Sequence, residues 1–138
     1  MTQEPLVKIQ NAHSSIVEDV TWNKFDTNMF TTVGDDKKLS LWDLRNPTSP
    51  TISVEGHQAE IMSINTSHHS EFIMATGSAD KTVGVWDIRS VKTKLYCFKG
   101  HTDVVNNVRF SQTQKNFLAS SSNDRKINIW DLSKTNEN

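Results

Sequence analysis

Four residue types recur in this chain at a fixed interval of 44 residues. His13, His57 and His101 set the step, and Asp36, Asp80 and Asp124 keep it. So do the pairs Trp42-Asp43, Trp86-Asp87 and Trp130-Asp131. Thr32, Thr76 and Ser120 hold the same register, always with a hydroxyl. Three units in phase without an insertion mean that each is one supersecondary unit, stacked on its neighbours to bury a shared core.

The segments between the markers read as strands. Val17–Trp22, Ile61–Thr66 and Val105–Phe110 alternate apolar and polar residues. Met29–Val33, Phe72–Gly77 and Phe117–Ser121 are apolar runs ending in small residues, the pattern expected of a strand buried near a central axis. Leu39–Trp42, Val83–Trp86 and Ile127–Trp130 alternate again, and Thr51–Val54 and Lys94–Phe98 follow as outer strands of the first two units. Turn chemistry separates second from third strands at Gly34-Asp35-Asp36-Lys37, Ser78-Ala79-Asp80-Lys81 and Ser122-Asn123-Asp124-Arg125. No amphipathic helix of useful length is legible, so the expected class is all-β.

The repeated set resembles the hydrogen-bonded tetrad of the WD-repeat family, a family of β-propellers. There the His of a Gly-His pair lies between the turn Asp and a strand hydroxyl, and the hydroxyl contacts the Trp indole N–H. Gly56-His57 and Gly100-His101 match, while the first unit has Ala12-His13. The structural tetrads implied are His13, Thr32, Asp36 and Trp42; His57, Thr76, Asp80 and Trp86; and His101, Ser120, Asp124 and Trp130. Linking them satisfies polar atoms that would each cost about 1–3 kcal/mol if buried unpaired. An Asp–His–Ser/Thr series also describes a hydrolase triad. A triad, however, occurs once and needs an exposed nucleophile; this set occurs three times, each with a Trp to cap the hydroxyl. The expectation is no enzyme.

The reading is a single WD-repeat domain over residues 1–138, with repeats at about 11–54, 55–98 and 99–134. Each is a four-stranded unit in type, although the third reaches its Trp-Asp pair too late to supply its own outer strand. Leu6–Gln10 reads as the outer strand of a blade preceding the first. Closed propellers typically have 4–8 blades. Two expectations follow: a piece of a longer, seven-bladed propeller, or self-association through open blade edges, in which Leu6–Gln10 of one copy closes the last blade of another.

Longer strings carry a narrower resemblance. The stretches Ala12-His13-Ser14-Ser15-Ile16-Val17-Glu18-Asp19-Val20-Thr21-Trp22, Glu71-Phe72-Ile73-Met74-Ala75-Thr76-Gly77-Ser78-Ala79-Asp80-Lys81-Thr82-Val83 and Trp130-Asp131-Leu132-Ser133-Lys134 are similar to the retinoblastoma-binding, histone-chaperone WD-repeat family. The similarity runs from about Asn11 to Lys134. It implies a non-catalytic scaffold subunit of chromatin assembly and modifying complexes, with histone tail peptides and other complex subunits as partners. It implies a nuclear location, with the cytoplasm as a second compartment. It places Glu18, Asp35 and Glu60 among acids of the face that takes basic tails. The third unit departs from that pattern with Val104 and Asn106. The N-terminal helix and late acidic insertion that form the family's second histone surface are missing from this sequence. The alternative is a generic WD interaction scaffold, such as a ubiquitin-ligase substrate adaptor, without histone specificity.

Composition narrows the partners. Lys and Arg number 15 against 16 Asp and Glu, a net charge of -1, so no bulk attraction draws the chain to nucleic acid or an anionic membrane. Neither is expected as a direct partner. The single Cys97 fits a reducing compartment and reads as a packed strand residue. His68-His69 sits in a predicted turn with no acid or Cys at ligand spacing, so no metal is expected there. No phosphate loop or nucleophile elbow appears, and no cofactor is expected.

Overall fold

The structure is a computed structural model, and residues 2–134 are described. Eleven strands are arranged in three antiparallel sheets. The first blade contains β1 (Val17–Trp22), β2 (Met29–Gly34), β3 (Lys38–Asp43) and β4 (Ile52–Glu55), paired in that order. The second contains β5 (Ile61–Thr66), β6 (Ile73–Ser78), β7 (Thr82–Asp87) and β8 (Tyr96–Lys99). The third has three strands among the described residues: β9 (Val105–Phe110), β10 (Phe117–Ser122) and β11 (Ile127–Asp131), followed by a single 3-10 turn. The fold is therefore all-β, and among the described residues its third blade has three of the four strands of the type.

The blades stack through their first strands. β1 packs on β5 and β5 on β9, so these line the inner side of an open arc. The second strands, expected nearest the axis, lie one place further out. Of the three, β6 is covered on both faces, Met74 packing toward the first blade and Ala75 toward the third. The 44-residue step recurs in the register: Thr32 faces Ser40 as Thr76 faces Gly84 and Ser120 faces Asn128.

Two apolar clusters fill the gaps between blades. Val33, Leu39 and Leu41 of the first blade meet Ile61, Ile64, Met74 and Trp86 of the second. One step later, Ala75, Val83 and Val85 meet Val105, Val108, Phe110 and Leu118. Each blade thus has a forward face, from its second to fourth strands, and a backward face that receives the previous blade's forward face. At Gly77 the contact leaves no room for a side chain: a Cβ would lie 2.8 Å from Val105 Cγ1.

Three sequence expectations need correction. Leu6–Gln10 forms no strand and pairs with none among the described residues; it lies instead beside a groove with Val20, Trp22, Phe30 and Leu44. The outer strands begin one to two residues later than expected, after Thr51 and Leu95 have each donated to the adjacent strand at Leu41 and Val85. Cys97 is in a strand but exposed, since β8 turns Tyr96 and Phe98 inward and leaves the intervening side chain outside.

Candidate functional site

Each apex loop is pinned to its blade by one chain of hydrogen bonds. In the second blade Trp86 Nε1 donates to Thr76 Oγ1 (2.9 Å), Thr76 Oγ1 meets His57 Nε2 (2.7 Å), and His57 Nδ1 meets Asp80 (2.9 Å). The first blade repeats this with Trp42, Thr32, His13 and Asp36 at 2.9, 2.7 and 2.9 Å. The third repeats it with Trp130, Ser120, His101 and Asp124 at 2.9, 2.8 and 2.8 Å. A neutral ring with its proton on Nδ1 satisfies every member: Nδ1–H donates to the carboxylate, and the hydroxyl donates to Nε2 while accepting from the indole. Among the described residues no buried side-chain nitrogen or oxygen lacks a partner.

The aspartates also close the loops on themselves. Asp80 accepts from the Gln58 and Thr82 backbone N–H groups and from the Thr82 hydroxyl. Asp36 accepts from the Ser14 and Lys38 backbones, and Asp124 from Thr102 and Lys126. For all three, burial pushes the carboxyl upward, but the His bond and these donors outweigh it. Each carboxyl therefore ends below its ordinary value, Asp124 at about 2. Burial lowers His57, against the opposing pull of Asp80, and so favours the neutral ring the chain requires. The fourth turn residues Lys37, Lys81 and Arg125 have φ of 69°, 75° and 70°, a left-handed conformation rare for such side chains. The carboxylate bridge across the turn holds it there.

This geometry disposes of the triad reading. The Thr32, Thr76 and Ser120 hydroxyls are buried, and each is occupied by both a ring nitrogen and an indole. No substrate carbonyl could reach them. Among the described residues no group of three or more His, Cys, Asp or Glu side chains is placed to hold a metal ion, and His68-His69 occupies a bend.

The other sequence-marked residues gather at the inner end of the loops. Glu18 is the second residue of β1, Asp35 follows β2, and Glu60 precedes β5 in the next blade. The backbone ties them in: Asp35 N–H donates to Ile16 O, and Glu60 O accepts from Ala79 N–H. Desolvation raises the Glu18 carboxyl, and a shared hydrogen bond with Asp35 plus the charges of Asp35 and Glu60 raise it further. Asp35 and Glu60 thus both act on the Glu18 carboxyl at the seam between the first two blades. The matching third-blade positions hold an amide pair, Asn106 Nδ2 donating to Asn123 Oδ1 at 2.5 Å, and Val104 stands where Glu60 stood.

Several ties went unread in the sequence. Asp19 Oδ2 accepts from Ile64 N–H (3.0 Å), and one step later Ser63 Oγ accepts from Val108 N–H (3.2 Å). These stitch one blade's inner strand to the next. Their signal was present, since Asp19, Ser63 and Asn107 keep the 44-residue step and are always polar. After the Trp-Asp pairs, Asp43 and Asp87 clasp Arg45 and Arg89 through two hydrogen bonds each, at the face opposite the tetrads.

Repeated four-stranded antiparallel units around a shared inner side, each locked by a Trp–hydroxyl–His–Asp chain, define a propeller-type interaction scaffold. The family model for the WD domain, G-beta repeat, matches residues 4–43, 48–87 and 92–131. The chain belongs to the WD-repeat family. WD repeats serve as protein-interaction scaffolds, and that is this chain's general role.

Proposed function

We propose that this chain is a non-catalytic, histone-binding scaffold subunit of chromatin assembly and modifying complexes, nuclear with a cytoplasmic pool. The observation that carries this reading is the convergence of Glu18, Asp35 and Glu60 at one inner seam, close enough to raise the Glu18 carboxyl. Clustered carboxylates repel until a cation enters. An Arg or Lys of a histone tail supplies that charge and donates hydrogen bonds to two or more of the carboxylates, each bond charge-assisted. The tetrads beneath hold the loops still, so the site is organised before the tail arrives.

The third blade sets the boundary of the site. With Val104, Asn106 and Asn123 there, the third blade carries no acid at the positions of Glu60, Glu18 and Asp35. A short basic segment suits it better than a long one. The wider alternative, a WD scaffold for partners other than histones, predicts binding that ignores these acids.

The test is titration of a basic histone-tail peptide against the chain and against the double variant Glu18→Lys, Glu60→Lys. Each charge-assisted bond is worth about 1.5–3 kcal/mol, so affinity should fall at least about tenfold while the melting temperature holds. Unchanged affinity in a folded double variant would sink the reading.

A further inference from the structure

The outer rim of the second blade carries a cavity whose place in the blade repeats and whose charge does not. It encloses about 410 Å³ beside the apex loop; Gln58, Asp80 and Thr82 line it together with Lys81, Lys94 and Lys99. The first blade has a cavity of about 360 Å³ at the corresponding place, lined by Ser14, Asp36 and Ser53 with one lysine, Lys38. In that blade Pro50 and Glu55 hold the positions of Lys94 and Lys99. The tetrad does not require these two lysines, since the first blade closes its hydrogen-bond chain at the same 2.9, 2.7 and 2.9 Å without them. Asp80 is the one acid of the wall, and its oxygens are already taken by His57, Gln58 N–H and Thr82. It offsets one of the three lysine charges and leaves two. Among the described residues no carboxylate pairs with Lys81, Lys94 or Lys99, and the Lys94 ammonium lies 5.6 Å from the Trp86 ring centroid. Cys97, opposite Gly84, has no counterpart of the 2.9 Å bond between Ser53 and Ser40, and it borders the cavity exposed.

We propose that this cavity binds the phosphoryl group of a phosphorylated serine or threonine on a partner protein. The charge selects the ligand. A phosphate ester carries about −1.5 to −2 at neutral pH and three strong acceptor oxygens, which match two uncompensated positive charges and three ammonium donors. A carboxylate brings one charge and two oxygens, and would leave an ammonium and a charge unanswered. The size agrees, because ligand cavities run from about 300 to 1,000 Å³, and this one has room for the phosphoryl group with its flanking residues. The surroundings favour a peptide as its source. β8 is the edge strand of its sheet, so an extended segment can lie along it while its phosphate enters between Lys94 and Lys99. Binding a protein segment is also the general role of the family. The site is independent of the histone reading: it is opposite in charge and uses none of Glu18, Asp35 and Glu60.

Calorimetric titration of the full chain tests this with four probes. These are the capped peptide Ala-Ala-phosphoserine-Ala-Ala, its unphosphorylated form, its form with Glu in place of phosphoserine, and inorganic phosphate alone. The phosphopeptide should bind at least about tenfold tighter than the other three, the loss expected for one charge-assisted hydrogen bond. It should also slow the alkylation of Cys97 by iodoacetamide, read by mass on the chain's single cysteine, which locates the peptide in the cavity. Lys99→Glu gives the second blade the residue of the first; it should weaken the phosphopeptide at least about tenfold at an unchanged melting temperature. Lys94→Gln repeats the test at a second wall position, should the first variant fail to fold. Equal binding of the Glu peptide would assign the cavity to acidic segments, and equal binding of inorganic phosphate to the free anion; either overturns the proposal. So does a phosphopeptide that fails to bind, that leaves Cys97 alkylation unchanged, or that binds folded Lys99→Glu and Lys94→Gln as it binds the unaltered chain.

Discussion

The apex loops have two sides, and they differ in opposite ways along the chain. On the buried side, the His, hydroxyl, Asp and Trp recur three times with hydrogen bonds of 2.7 to 2.9 Å. On the inner side, a few ångströms of chain away, no unit repeats another. Glu18 and Asp35 in the first blade become Met62 and Ala79 in the second, then Asn106 and Asn123 in the third. The contrast follows from burial. An indole N–H or an imidazole out of water must find a partner, and few residue sets supply one, whereas a side chain at the mouth can be exchanged without leaving anything unpaired. The loops are held by what is uniform and distinguished by what is not.

The sharpest way to break this contrast is to remove a Trp. Trp86 is 3% exposed and packs in the first seam, so Trp86→Ala should cost about 3–5 kcal/mol in chemical denaturation. Trp130→Ala should cost less, because the third blade is covered on one face only. Equal losses would mean that the seams contribute little beyond the tetrads themselves.

The next effect is in acid. Asp124 lies near 2 in the folded chain, below its ordinary 3.8, so its stabilising contribution is present above pH 3.8 and is lost as pH falls toward 2. Asp36 and Asp80 shift in the same direction and add to the slope. The melting temperature should therefore drop steeply in that window, and Asp124→Asn should melt lower at neutral pH with a shallower acid slope. Glu18 has the opposite sign: its carboxyl is raised, so the fold loses stability as pH rises through its titration. An unchanged acid slope in Asp124→Asn would mean that the His101 bond does not hold that carboxylate charged.

The smallest effect sharpens the contrast at the mouth. Val104→Glu with Asn106→Glu should extend the acidic surface to the third blade. At about 0.2–1 kcal/mol for each exposed ion pair, a basic tail peptide should bind a few-fold tighter, with no change in melting temperature. Weaker binding would mean that the amide pair of Asn106 and Asn123 itself contacts the tail.

Much of this was legible in the residue order. The 44-residue step, the strand pattern and the identity of each tetrad member all follow from a periodic sequence in which buried polar groups must be matched. The acids of the mouth could be named through family likeness, but their mutual approach could not. Glu18 and Asp35 are 17 positions apart, and Glu60 is in the next unit. Cys97 shows the same limit on a small scale, since alternation places it in a strand but does not say which face meets water. Leu6–Gln10 shows it in reverse: a segment with a strand's pattern that pairs with no strand among the described residues.

The sequence by itself determined the blade, because each unit contains its own turn, its own strands and its own chain of hydrogen bonds. Only the tertiary structure decided the seams: which strand faces the axis, and which acids of neighbouring blades act on Glu18. The reason is range. Hydrogen bonds within a blade link residues whose spacing the repeat dictates, whereas contacts between blades depend on how neighbouring surfaces fit, and that fit is a property of the packed chain rather than of any one unit.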